Sequence, residues 1–108
     1  MKQKLVISEP ALSDLFDIND YYLLEASDKT AAKIIDDLQQ AIEGLSKLPD
    51  RGSYPKELSV LGIRQYRQLI HKRYRIIYER TAKYIIVHAV LDGRRDIQSL
   101  LTRRLLIE

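Results

Sequence analysis

Cysteine and tryptophan are absent from this 108-residue chain; phenylalanine and methionine occur once each, histidine twice, proline three times and glycine four times. Without cysteine there is no disulfide framework, no thiolate chemistry and no zinc–cysteine site. That composition fits a reducing cytoplasm. His71 and His88 lack carboxylates at ligand spacing, so no metal centre is expected. The Gly62 and Gly93 loops lack the strand–glycine–helix pattern that cradles a phosphate, and no cofactor is expected. No segment approaches the ~20 apolar residues that span a bilayer. The start, Met1 to Ile7, begins like a signal peptide, but its apolar run stops at Ser8-Glu9-Pro10, too short for an h-region. These exclusions describe a soluble, cytoplasmic protein with no membrane partner.

What is present is charge, unevenly placed. Residues 1–60 hold seven Lys/Arg against eleven Asp/Glu, a net of −4; residues 61–108 hold eleven against four, a net of +7. Two readings follow. The basic half could meet an acidic partner or nucleic acid, or the two halves could neutralise each other within one fold. A chain of this length makes one domain, residues 1–108.

Lys4 to Ile7 reads as a first strand. Ser8 is an N-cap, with Glu9 and Pro10 in the first turn of a helix that runs to about Glu25. Its apolar face is Leu12, Leu15, Phe16, Ile18, Tyr22 and Leu23, with Asp14, Asp17, Asn19 and Asp20 opposite. Ser27 or Asp28 opens a second helix with a regular stripe, Ala31, Ile34, Ile35, Leu38, Ala41, Ile42, Leu45 and Leu48, stopped by Pro49. The short connection makes the two helices an antiparallel hairpin. Asp50 to Val60 is a loop. From Gly62 the period changes to two, and Gln65–Ile70, Tyr74–Glu79 and Tyr84–Leu91 read as three strands of an antiparallel meander. Asp96 caps a last helix through Leu105 or Leu106, with Ile97, Leu100, Leu101 and Leu105 on its apolar face. The order βααβββα is an α+β domain: a helical hairpin packed on an antiparallel sheet, with a C-terminal helix.

Strict alternation in Tyr74–Glu79 puts Tyr74, Ile76 and Tyr78 toward the hairpin and Arg75, Ile77 and Glu79 on the opposite face. Arg75 could then clamp a phosphate or carboxylate bidentately, joined by Arg67 if the register allows; alternatively it pairs with Glu79 or a cross-strand acid. His88 reads as structural and His71 as a surface residue of a turn. Asp92-Gly93 with Arg94-Arg95-Asp96 is a strand-to-helix corner, at which Gly93 can take a positive φ and Arg94 or Arg95 bond back to the core. Arg103 and Arg104 complement the terminal helix dipole.

The segments Ala11-Leu12-Ser13-Asp14-Leu15 with Ile18 and Tyr21-Tyr22, Ala41-Ile42 through Leu48-Pro49, Gly62-Ile63-Arg64 with Tyr66-Arg67, Tyr74-Arg75-Ile76-Ile77-Tyr78, and Val90 to Asp96 together resemble the RelE/ParE superfamily, toxins of type II toxin–antitoxin pairs, and most closely its ParE branch. For RelE-like members the resemblance implies a ribosome-dependent mRNA endoribonuclease. Arg75 would be the phosphate clamp, and Glu57 or Lys56 the upstream proton-transfer group. The His or Tyr expected at the end of the last strand is replaced by Leu91-Asp92-Gly93. Where ParE-like proteins often carry His, Asp92 stands here. The resemblance therefore implies a non-catalytic inhibitor of DNA gyrase of the plasmid-stabilisation type. Arg94, Arg95, Arg103 and Arg104 would be its target-binding set. A cognate antitoxin, acidic and partly disordered until bound, would dock on Arg64, Arg67 and Arg75. Operator DNA would be met only through the antitoxin. A non-toxic binding module of the same fold is the third alternative.

Overall fold

The structure is a computed structural model that describes residues 3–93 and 97–106. Strand β1, Lys4–Ile7, leads through the Ser8 cap into helix α1, Glu9–Glu25. Ser8 Oγ accepts the Ala11 N–H at 3.2 Å, satisfying a donor that the first turn leaves free. Ser27 caps helix α2, Asp28–Gly44, in the same way. The helix ends at Gly44, and the chain turns through Lys47 before it reaches Pro49.

Within the expected loop lies one further helical turn, α3, Lys56–Ser59. Strands β2, Tyr66–His71, β3, Tyr74–Arg80, and β4, Tyr84–Asp92, form the antiparallel meander. Beside β4, β1 adds in parallel, so the sheet is mixed, in the order β1-β4-β3-β2. Helix α4, Ile97–Leu101, continues into a short π-helical stretch, Thr102–Leu106. Asp96, the expected cap of this helix, lies outside the described residues. The architecture is α+β, as expected from the period switch near Gly62.

Two cores sandwich the sheet. On the hairpin side Ala11, Leu15, Leu38, Ile42 and Leu45 pack on Tyr74, Ile76, Tyr78, Ile85, Val87 and Val90. On the other side Leu58, Tyr66, Ile77, Ala89 and Leu91 form a smaller cluster, with Ile63 and Leu100 packed against it. The face expected to be an open arginine surface is therefore partly apolar and partly covered. A bulge makes both cores possible. Ile77 pairs with Ala89 but Tyr78 pairs with Val87, so His88 is the extra residue on β4. Val87 therefore faces the hairpin while Ala89, two residues on, faces the second core.

Helix α1 departs from its expected face. Ala11, Asp14 and Leu15 turn inward, and Ile18 and Tyr22 are half-buried. Leu12, Phe16 and Leu23 stay 45%, 61% and 42% exposed. Apolar residues spread around more of this helix than the sheet and α2 can cover. Asp14 is tolerated inside because it is paired there.

Tyr78 is fully buried, yet its hydroxyl is satisfied: it donates to the Pro49 carbonyl at 2.8 Å and accepts the Gly52 N–H at 3.0 Å. It fastens the loop after α2 to β3, an inner strand of the sheet. A Cβ on Gly52 would fall inside contact distance of the Gln68 carbonyl oxygen and 2.8 Å from the Tyr78 hydroxyl. Two substitutions test this anchor. Tyr78→Phe should lose about 1–2 kcal/mol by leaving the Gly52 N–H and the Pro49 carbonyl unpaired, and Gly52→Ala about 1–3 kcal/mol by overpacking. Urea unfolding midpoints indistinguishable from wild type would show that the loop is not held here.

Candidate functional site: an arginine-lined groove beside the edge strand

A groove of about 610 Å³ runs along the end of β2 and the face of β3 opposite the hairpin. Among the described residues its cations are Lys56, Lys72, Arg73 and Arg75, and its one carboxylate is Glu57. Arg75 is held in it by hydrogen bonds to Glu57 and Gln68. The alternation of β3 aims it away from the hairpin, and α3 brings Glu57 up to it. Both guanidinium nitrogens meet the carboxylate at 2.8 Å, Nη1 to Oε2 and Nη2 to Oε1, while Nε and Nη2 also donate to Gln68 Oε1. The bonds from Arg75 hold the Glu57 carboxyl below its ordinary value near 4.5, against the opposing effect of partial burial. Arg75 is thus paired with an acid from the preceding loop rather than with Glu79 or a cross-strand residue. As a strongly ionised carboxylate, Glu57 is a poor proton acceptor. The Tyr74 hydroxyl, pushed well above its ordinary value by burial and by its contact with Tyr22, is a poor proton donor. Lys56 also lines the groove and is exposed.

Register separates Arg67 from Arg75. Arg67 pairs with Tyr78 across the β2–β3 ladder, whereas Arg75 pairs with Ile70, and paired residues share a face. Arg67 reaches back over the loop, donating to the Gly52 carbonyl at 2.9 Å and to the Tyr54 hydroxyl at 3.2 Å, with its guanidinium 4.7 Å from the Tyr54 ring centre. Exposed Arg64 also approaches the Tyr54 ring, at 5.6 Å. Arg64 and Arg67 therefore flank Tyr54, a platform that sequence inspection passed over because nothing local marks it.

The terminal arginines divide. Arg94 and Arg95 lie outside the described residues. Arg103 is exposed, beside Gln98, Ser99 and Thr102. Arg104 grips Asp14 with both guanidinium nitrogens, at 2.6 and 2.9 Å, and Asp14 also accepts the Val90 N–H at 2.9 Å. This clasp ties the end of the chain to α1, and Arg104 is held above its ordinary value chiefly by the bonds to Asp14. The helical pattern set Asp14 opposite the apolar face, and the structure reverses this; the signal that marks it is its position, three residues after Ala11 and four before Ile18, both of which pack inward.

His88, the bulged residue, contacts Glu79 at 2.9 Å and meets the Tyr66 ring edge-on at 5.4 Å, away from the groove. His71 is half-buried rather than on the surface, and its Nε2 finds no partner among the described residues. Among the described residues no group of three His, Cys, Asp or Glu side chains is placed to hold a metal, and no helix is long and apolar enough to cross a membrane.

The described residues form a small α+β protein, a helical hairpin on a mixed sheet with a cation-lined groove. Residues 5–97 match the family described as ParE toxin of type II toxin-antitoxin system, parDE, and the chain belongs to that family. Among solved structures it is similar to one from the chromosomal ParDE TA system from P. aeruginosa. The TM-score is 0.73 and the identity 19%, over 84% of this chain and 96% of that one. No curated protein matches the chain.

Two measurements test the ion pairs. Arg104→Ala should destabilise by about 2–3 kcal/mol, less than a fully buried pair because Arg104 keeps some contact with solvent, whereas Arg103→Ala should stay within about 0.5 kcal/mol. Equal unfolding midpoints for the two variants would dismiss the clasp. The depressed carboxyl of Glu57 contributes stability that is fully present above its ordinary value and lost as pH falls through the lower folded value. The stability gap between wild type and Glu57→Gln should therefore close on acidification; a gap that persists unchanged well into the acid range would contradict the pairing.

Proposed function

We propose that this ParE-family toxin acts in the cytoplasm by inhibiting DNA gyrase, and that an acidic antitoxin neutralises it and alone carries the pair to operator DNA. The observation that carries the choice of target is the state of Arg75. Its guanidinium is occupied by Glu57 and Gln68, and the groove around it offers an ionised carboxylate where 2′-OH attack on RNA needs a matched acid and base. The antitoxin surface of this reading wraps the β2 edge of the sheet, with Arg64 and Arg67 around Tyr54 and Arg75 on the face opposite Arg67. The target surface is Arg103 with Arg94 and Arg95. Arg104, being engaged by Asp14, supports that surface by holding the helix in place.

The ribosome-dependent ribonuclease remains the second reading. One observation favours it: Arg75, Glu57 and Lys56, the residues it requires, border a single groove.

Supercoiling by purified gyrase, followed by detection of cleaved DNA, tests the first reading. The expected result is inhibition that weakens with added salt and falls in the Arg94→Ala, Arg95→Ala, Arg103→Ala variant at unchanged melting temperature. Unimpaired supercoiling at a large excess of folded, antitoxin-free protein would reject it. Codon-specific cleavage of messenger RNA on ribosomes, lost in Arg75→Ala, would establish the second reading instead. Rescue of growth by co-expressing the protein encoded beside this one identifies the antitoxin.

A further inference from the structure

Strand β2 ends at His71, which pairs with Tyr74 and so turns its ring toward the hairpin, the side on which Tyr74 and Leu69 pack. There its Nε2 is buried and meets no hydrogen-bond partner among the described residues. His71 lines a cavity of about 40 Å³ between the hairpin and the β2–β3 turn, room for about one water. The polar and charged groups facing it are Tyr22 of α1, Asp37 of α2, Lys72 and Arg73 of the turn, and Tyr74 of β3.

These groups are not equally committed. Arg73 is bound to Asp92 at 2.8 Å, and the two tyrosine hydroxyls bond each other at 3.1 Å. Asp37 is the cavity's one carboxylate among the described residues. It is held loosely, by Lys33 at 3.5 Å and by Lys72 at 3.6 Å. Both lysines are well exposed, and such pairs contribute little. Lys29 stands in an adjoining hollow that Asp37 and Lys72 share. Lys72 also lines the arginine groove. Its φ of 55° lies in the left-handed region that favours glycine, so the turn keeps a lysine where a glycine would relieve the backbone.

Histidine is the side chain that ordinarily gains a proton near neutral pH. A proton on a buried Nε2 makes a charge that water cannot reach, and such a charge is kept only beside a carboxylate. Asp37 is the carboxylate at hand, and the lysine it would leave has solvent to go to. We propose that His71 is a proton switch for the groove. On taking a proton from solvent at Nε2 it draws Asp37 to itself, directly or through one water, and Lys72 is released to bind anionic groups in the groove. With His71 neutral, Asp37 holds Lys72 back.

Nuclear magnetic resonance of the full chain, titrated from about pH 8 to about pH 5.5, tests it. Sulfate serves as the probe of the groove, because its charge is constant over that range. The Asp37 carboxyl and Lys72 side-chain signals should move in step with the His71 imidazole, and sulfate affinity at Lys72 should rise about threefold on acidification. His71→Gln should hold that affinity at the weaker level throughout, and Asp37→Asn at the tighter level throughout. These opposite responses distinguish a switch from the simple loss of a residue. If either variant fails to fold, or sulfate binds too weakly to follow, the wild-type signals of Lys72 decide alone. A Lys72 signal that stays fixed while His71 titrates, or a His71 imidazole that takes no proton over the range, would overturn the switch. So would a rise in sulfate affinity that survives in His71→Gln, which would assign the response to other groups.

Discussion

Strand β4 must serve two cores at once, and the bulge at His88 is how it does so. A strand of unbroken alternation would put Val87 and Ala89 on one face. Here Val87 joins the hairpin core and Ala89 the smaller one, because the extra residue reverses the parity between them. Upstream, Ile85 and Val87 lie under the helices; downstream, Ala89 and Leu91 support the side on which Leu58 and Leu100 pack. Leu58 belongs to α3, and α3 carries Glu57 to Arg75. The geometry of the groove therefore depends on a one-residue irregularity on the far side of β3. His88 itself is kept in place by Glu79 and the edge of the Tyr66 ring.

Charge has two uses in this chain, and the structure distributes them. Asp14, Asp37, Asp50 and Glu57 of the acidic first half pair with Arg104, Lys72, Arg80 and Arg75 of the basic second half. Internal neutralisation is thus a large part of the asymmetry. It is strongest where burial is greatest, at Asp14 and Arg75, since a charge removed from water must be matched by a partner and by hydrogen bonds. What remains for a partner is the exposed remainder: Lys56 in the groove, Arg64 over Tyr54, and Arg103 on the terminal helix.

The elements themselves were legible. The caps at Ser8 and Ser27, the stripe from Ala31 to Leu45, and the switch to alternation after Gly62 each follow from local rules that hold whatever the rest of the chain does. The inward face of β3, Tyr74, Ile76 and Tyr78, was legible for the same reason. The site was legible in part. Arg75, Glu57 and Lys56 do meet at one groove, but Gln68, Lys72 and Tyr54, which complete it, carry no mark in the sequence.

By itself the sequence determined the fold class, the hairpin and the direction of Arg75 from the sheet, because helix and strand periods are properties of consecutive residues. Tertiary structure decided which of several apolar arcs of α1 would be buried, leaving Phe16 exposed and taking Asp14 inside, because only packing against β4 and the terminal helix distinguishes them. It decided that Arg67 and Arg75 stand on opposite faces, because ladder register is a relation between strands and a shift of one residue reverses it. It decided, too, which arginines are engaged and which are free, because ion pairs such as Asp14 with Arg104 join residues at opposite ends of the chain, and no local pattern records such distances.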